Sequence, residues 1–521
     1  MKGRSVLGVF RALAFSCVLF NAGSTEAQEI PAPGRMMSLA SFLGDVVRTN
    51  PGVREARLQW LIQTGQARAE WGTYEPVLAA SAKEEGLRQQ NTALEQFQQL
   101  GTPLYDEKND AYSLGLEGNL PTGANYNLGA SITRLQDTYV EQGQFKSFVG
   151  ISAQQPLLKG FTHGAPMGSI RTAFEDRIIA FHEYRRQLMS AVTQAEAAYW
   201  NLAFAQEVLR MDSESVQVAR DLLTTAKEAA LVGKMSDLDV REAEAELASR
   251  EATREDGQIS LNEALRQLRL LTGGAGAKTA NDSVVATDPL VANEGGQWDP
   301  AAEGRSYQEW AERAQPDYMI ESEQVLKEGL LVDLQKDQAL PELSLTGSYG
   351  YTGLGDTPQD SLGTLGSQSY PTWSLGLELH MPLLLGVKQR NELDVEELKR
   401  ELATVRLAAV RQQMTDTIVS LVQSIATLRE HIDNQRTVVQ VKRDLLAVQT
   451  ERLHGGTASL LEVYNAEDEL RQARQHELEA VVRFRQALME LGRASGAVLR
   501  DHALEQLKDG QVELREDLRS R

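Results

Sequence analysis

Two stretches of this chain make the same unusual transition. From Trp373 to Arg390 (WSLGLELHMPLLLGVKQR), Trp373, Leu375, Leu377, Leu379 and Met381 alternate with Ser374, Gly376, Glu378 and His380, the period of a strand with one apolar and one polar face. Beyond Gly386 the pattern turns helical and charged, and it runs without proline to about His454, far past the length of an ordinary globular helix. Phe148 to Gly164 (FVGISAQQPLLKGFTHG) does the same. Pro156-Leu157-Leu158-Lys159-Gly160 and Pro382-Leu383-Leu384-Leu385-Gly386 stand 226 positions apart, 382 minus 156. One such corner says little, because Pro and Gly suit any strand-to-helix turn. Two, each emptying into a rod, indicate a duplicated unit.

A second register supports the duplication. A helical pattern from Leu39 to about Gly72 is interrupted at Asn50-Pro51, and another from Tyr307 to Ala339 at Gln315-Pro316. Pro51 and Pro316 are 265 positions apart (316 minus 51), as are Pro76 and Pro341 (341 minus 76). The first half therefore carries 39 extra residues (265 minus 226) between these markers and the strand-to-rod corner. They read as one added hairpin: Tyr112, Leu114, Leu116 and Leu120 on an apolar face, a turn at Pro121-Thr122-Gly123, then Tyr126, Leu128, Ala130 and Ile132. With segments near Val77–Lys83, Ser147–Gln155, Leu343–Thr352 and Thr372–Met381, six strands are expected. The connections Glu84–Ala111, Arg134–Lys146 and Gly353–Pro371 are expected to be long, and Pro121–Ala124 short, the asymmetry of outer-membrane barrels. Tyr112, Tyr126, Phe148, Tyr349, Tyr351, Tyr370 and Trp373 are candidates for aromatic girdles.

The helical parts carry heptad seams. Ile418, Leu421, Ile425, Leu428, Ile432, Gln435, Val439, Lys442, Leu446, Gln449 and Leu453 are spaced by threes and fours, as are Leu202, Ala205, Leu209, Asp212, Val216, Ala219, Leu223, Ala226 and Ala230. Each rod reverses at a glycine, Gly233 in LVGKMSDLDV and Gly456 in LHGGTASLLEV, with Ser236 and Thr457 as expected caps of the return helices. These returns run to about Thr272 and Ala494. Gly273–Gly304, rich in Gly, Ala, Asn and Asp, reads as an irregular linker, and the charged tail from Arg500 as peripheral or disordered.

The remaining composition narrows the function. Residues 1–27 read as a secretory signal, with Lys2, Arg4 and Arg11 before an apolar stretch Ala12–Phe20 and Thr25-Glu26-Ala27 as the cleavage site. The only cysteine, Cys17, would leave with it, removing thiol and disulfide chemistry. No later stretch approaches the ~18 apolar residues of a membrane helix, so insertion must use strands. A formal charge of −20 disfavours nucleic acid. Gly273-Gly274-Ala275-Gly276-Ala277-Lys278-Thr279 is a poor phosphate loop, with no Gly directly before Lys278 and a helix leading in. The histidines His163, His182, His380, His431, His454, His476 and His502 lack metal-ligand spacing. No catalytic, cofactor or metal site is expected.

The helix breaks at Asn50-Pro51 and Gln315-Pro316, the paired strand-Pro-Leu-Leu-x-Gly-helix corners and the turn Gly456-Thr457-Ala458-Ser459-Leu460-Leu461-Glu462-Val463-Tyr464-Asn465-Ala466 together resemble the TolC-like outer membrane efflux family, over Leu39 to about Leu499. The resemblance implies an α+β fold: two repeats whose long helical hairpins form a trimeric periplasmic tunnel, continued by a transmembrane β-barrel. The organisation it implies is signal 1–27, first repeat 28–272, equatorial linker 273–304, second repeat 305–499 and charged tail 500–521. It implies the outer-membrane channel of a tripartite efflux or type I secretion system, receiving substrate from an inner-membrane RND or ABC pump through a periplasmic adaptor. It also implies a periplasmic gate at Glu462 and Asn465, with Asp239 and Glu242 as first-repeat counterparts, and adaptor contacts at the turns Val232, Gly233, Gly455, Gly456 and Thr457. The family commonly has four strands per copy where this sequence suggests six, and an acid where Asn465 stands. A periplasmic adaptor or a structural coiled-coil protein is the alternative, but an adaptor would carry one hairpin between lipoyl and β-barrel segments, whereas this chain carries two equivalent hairpins and amphipathic strands.

Overall fold

The computed structural model describes residues 35–98, 101, 103–138, 140–161, 165–273, 284–291, 298–381, 386–508 and 511–514. The expected signal with Cys17, the Pro382–Leu385 part of the second corner, most of the Gly273–Thr279 segment and His163 lie outside these residues.

Each half begins with a broken helix. Leu39–Thr49 and Pro51–Ala69 meet at Asn50, and Pro300–Ala314 and Pro316–Gln338 meet at Gln315. A residue before proline is forced out of the helical region, and both Asn50 (ψ 123°) and Gln315 (ψ 118°) are extended. Each then caps the next helix with its own side chain: Asn50 Oδ1 accepts from the Gly52 and Val53 amides at 2.9 and 3.2 Å, and Gln315 Oε1 from Tyr318 at 2.6 Å. The helix at Pro300 begins inside the stretch expected to be irregular, because Asp299 caps it through the Ala301 amide at 3.0 Å.

Six strands pair antiparallel in one sheet: Val77–Gln90, Leu104–Asn119, Asn125–Asp137, Val140–Pro156, Glu342–Gly355 and Pro371–His380. The added hairpin is part of this sheet, in register Leu114↔Ala130 and Leu116↔Leu128. Residues directly opposite share a face. Leu116, Leu128, Ile151, Tyr349 and Trp373 form a continuous row on one side, and the last strand exposes Trp373, Leu375, Leu377 and Leu379 by 61–72%. The opposite face presents Ser113, Ser131, Asn127, Ser152, Ser348 and Ser374, and one row of it is Gly115, Gly129, Gly150 and Gly350. Phe148, expected in a girdle, belongs to this polar side, opposite Ser131 and Thr352.

One expected long connection is largely sheet. Asp137 pairs with Val140, so the supposed loop from Arg134 to Lys146 is a tight hairpin. Likewise the first two strands continue to Gln90 and Leu104, with the short helix Ala93–Gln98 in the connection between them. Above the apolar band both faces carry charge, so the alternation that marks a membrane strand disappears. The outer side there holds the pairs Lys108–Glu84 (2.6 Å), Arg88–Asp106 (3.6 Å) and Arg134–Asp110 (3.8 Å).

From the opposite end of the sheet run the rods, Ala165–Leu231 and Val387–His454, of 67 and 68 residues, about 100 Å each. The corner glycines before them are left-handed at matching positions, Gly160 at φ 86° and Gly386 at φ 62°. Asp337, buried, accepts the Gly160 amide at 2.8 Å and ties the first corner to the helix of the second half. The return helices are Asp237–Leu271 and Leu460–Ser495. Both heptad seams are internal, with Leu202, Val216, Ala226, Ile418, Ile425 and Ile432 all nearly fully buried. Midway along, Phe42, Leu43 and Val46 pack on Tyr184, Leu188, Val192 and Tyr199, and the Tyr199 hydroxyl donates to Asp288 at 2.6 Å.

The described start of the tail folds back here. Glu505 enters the waist fully buried and pairs with the equally buried Arg185 at 2.9 Å, while Arg185 also donates to the Ala314 carbonyl. Next to it His182, desolvated and beside the guanidinium, is held neutral with its pKa pushed down to about 3.

Candidate functional site: the mouth of the helical hairpins

The rod turns are built identically. Gly233 and Gly456 both sit at φ 72°, where a side chain would be strained. In each, the glycine amide bonds back to the carbonyl three residues earlier (Ala230, Leu453; 3.0 Å) and the next amide to the carbonyl five residues earlier (Ala229, Arg452; 2.9 Å). That pair of bonds is the Schellman closure of a helix C-terminus.

The starts of the two return helices differ. Ser236 and Asp239 form a reciprocal capping box: the Asp239 carboxylate accepts the Ser236 amide at 2.7 Å and hydroxyl at 2.8 Å, which holds its pKa below the usual range. The second return helix is capped by Ser459, whose Oγ accepts the Glu462 amide at 3.3 Å, and not by Thr457 as expected. Thr457 is committed to the turn, with its amide and hydroxyl both donating to the Arg452 carbonyl. Glu462 therefore has no capping duty. Its carboxylate projects, about half exposed, with Arg452 at 3.7 Å across its own hairpin. Asn465 and Glu242 are exposed, each one turn along from Glu462 and Asp239. The turn residues Val232, Gly233, Gly455, Gly456 and Thr457 are all exposed, as are Leu231 (87%), Leu238 (64%) and Leu461 (59%).

Behind the tips the two hairpins grip each other. Leu460 and Tyr464 of the second insert among Ala219, Ala226 and Ala243 of the first, small residues that leave room for them. One turn further, Arg250, 6% exposed, bonds Ser215 at 2.7 Å and Glu246 at 2.6 Å and pairs closely with Glu467. Asp212, 4% exposed, faces Arg471 at 3.6 Å, and burial pushes its carboxyl pKa up. Gly257 makes the space: a Cβ there would lie 3.0 Å from Asp212 Oδ2. Asp212 stands in the heptad seam, a carboxylate in a core position. That misfit was the available signal for the cluster. Among the described residues no group of His, Cys, Asp or Glu is arranged to hold a metal ion, and no helix is long and apolar enough to cross a membrane.

Paired rods, a one-sided greasy sheet and duplicated corners have a counterpart among known families. The family model described as Outer membrane efflux protein matches residues 122–274 and 330–497, more than half of the chain. The chain belongs to that family. It is an outer-membrane efflux channel of the kind that serves tripartite systems, with its sheet in the membrane and its helical tunnel in the periplasm. No curated protein matches it in sequence. In fold it is similar to the CmeC outer membrane channel of Campylobacter jejuni (TM-score 0.63, 15% identity, 88% of this chain and 85% of that one). It is also similar to the outer membrane protein VceC of Vibrio cholerae (0.60, 18%, 88% and 96%) and to the open state of the MtrE outer membrane channel of Neisseria gonorrhoeae (0.62, 17%, 88% and 89%).

Proposed function

We propose that this efflux protein works as a homotrimer in which three six-stranded sheets close into one eighteen-stranded barrel. The supporting observation is the sheet's pair of open edges: Val77–Gln90 and Pro371–His380 are each paired on one side only, in strands whose outer faces are apolar over Leu78–Ala82 and Trp373–Leu379. An open edge in hydrocarbon leaves backbone groups unsatisfied, and antiparallel pairing of one copy's last strand with the next copy's first removes it. Cysteines placed in pairs along these two strands should give a covalent trimer on oxidation. A ladder ending at monomer, whatever pair is chosen, would overturn the closure.

At the other end, three copies of each hairpin tip meet at the periplasmic mouth. Glu462 supplies an acidic constriction there, with Asn465 as its neutral neighbour and Asp239 and Glu242 on the first-repeat tips. The exposed apolar turns, Leu231, Val232, Leu238 and Leu461 around Gly233 and Gly455–Thr457, suit docking of a periplasmic adaptor, which joins the channel to an inner-membrane pump of the RND or ABC type. Substrate then passes from pump to exterior without entering the periplasm.

A further inference from the structure

The external connection between the last two strands folds back onto the sheet. Its helix, Pro358–Gly366, is capped by Thr357, whose Oγ accepts the Asp360 amide at 3.2 Å. Ser361 is fully buried, its Oγ lying 2.8 Å from Ser147 Oγ and 3.1 Å from the Gly353 carbonyl, while the Ser147 hydroxyl donates to the Ser361 carbonyl at 3.0 Å. The seat admits glycine alone. A Cβ on Gly353 would come within 2.1 Å of the Ser361 carbonyl oxygen, and one on Gly355 within 2.5 Å of the Ser361 nitrogen.

The side of the sheet matters most. Ser147 shares a face with Val149 and Ile151, and Gly353 and Gly355 with Tyr349 and Tyr351, opposite Trp373 on the last strand. That is the apolar outer face, not the serine-rich inner one. Gly353 lies 11 residues along the strand from Glu342 (353 minus 342), roughly 36 Å of strand, or about 28 Å of height at a tilt of about 40°. This is the upper rim of the apolar band, near which the last strand and the residue before it expose Trp373 (72%) and Tyr370 (60%). The helix itself turns Leu362 outward, 53% exposed.

We propose that this loop is a collar seated on the outside of the barrel: its helix rests in the headgroup layer of the outer leaflet with Leu362 against lipid. The Ser147–Ser361 clasp holds the loop off the channel's exit. The inference rests on the apolar face being the membrane face. It assigns lipid as the occupant because the exposed helix surface is continuous with the band that lipid already covers. Held outward, the loop itself does not cover the channel's exit.

The test uses the full-length trimer reconstituted in lipid, with a nitroxide at Leu362→Cys. Leu375→Cys on the apolar face and Ser131→Cys on the polar face serve as references. Relaxation at 362 should be raised by oxygen to the level of 375, with the water-soluble nickel chelate several-fold less effective than at 131. Nickel access equal to that at 131 would overturn the collar, as would protection from both reagents, which would mark contact with another protein surface. If 375 itself reads as water, the barrel assignment fails first. Gly353→Val, a better strand former without the seat, should free the loop, move label 362 to nickel access and raise single-channel current flicker several-fold. Ser361→Ala, milder in packing, should shift both readouts the same way. Unchanged label and current in both variants would overturn the clasp.

Discussion

The two helical hairpins share one blueprint, yet their tips use their acids differently. In the first, Asp239 is consumed by a capping box with Ser236. In the second, Ser459 caps alone and Glu462 keeps an outward carboxylate with Arg452 as its only close basic partner among the described residues. Duplication supplied two equivalent acids, and the choice of capping residue decided which was left for electrostatics. Both tips still depend on the charged cluster behind them, where Arg250 and Arg471 of different hairpins neutralise buried carboxylates.

The largest effect should come from breaking what joins the hairpins. Arg250→Met strands Glu467 beside an empty basic site, a loss on the order of 3–5 kcal/mol if the cluster stays dry. Thermal unfolding of the trimer should drop well below wild type, with higher conductance in the bilayer; an unshifted transition would mean water screens the cluster. Next, Ser236→Ala should cost about 1 kcal/mol, and Ser459→Ala less, since only Ser236 has a reciprocal partner. Hydrogen exchange in the first turn of each return helix measures the two, and equal protection loss would erase the asymmetry. Third, Glu462→Gln should reduce cation preference and divalent block, most at low ionic strength, whereas Asp239→Asn should weaken its helix and leave selectivity almost untouched. Single-channel reversal potentials separate these outcomes. Selectivity that follows Asp239 would invert the comparison.

The smallest effect concerns acids far from the tips. Glu323 shares a hydrogen bond with Glu175 across two helices, and burial first, then that neighbour, raises its pKa to about 7. A carboxyl raised in the folded state contributes stability that is complete below its ordinary value near 4.5 and is lost as pH rises toward about 7. The contact should loosen between those limits. Glu323→Gln should flatten the pH dependence of exchange in the helix Pro316–Gln338, and an unaltered profile would assign it to other groups.

Much of this architecture was legible in the sequence because membrane strands and heptad rods impose strict periods. Leu114, Leu116, Leu375 and Leu377 could not alternate so regularly without a two-faced sheet, and Asn50 and Gln315 each announced a broken helix by preceding proline. The strand extensions at Glu84–Gln90 and Leu104–Asp110 were hidden because above the lipid both faces carry charge and the period vanishes. Thr457 was mistaken for the cap because Ser459 is an equally good one, and only the closed turn shows which is free. The Arg250 cluster and the Arg185–Glu505 pair join residues 217 and 320 positions apart, a relation that no local pattern carries. That Asp239 and Glu462 would part ways was equally illegible, since both stand at the third position of a capped helix.

The added hairpin between Tyr112 and Ile132 enlarges one part of the machine alone. Strand direction alternates, so only pairs of strands can be inserted without reversing everything downstream; a trimer grows by six at a time. In the proposed eighteen-stranded barrel, at about 4.8 Å per strand, the circumference then widens by roughly 29 Å, while the rods below gain no new helix. The mismatch in girth has to be absorbed where sheet becomes rod, at the corners around Gly160 and Gly386. Those left-handed residues thus act as the flange between a wide pipe and a narrow one, and a lineage can rebore its outer opening without refitting the shaft below.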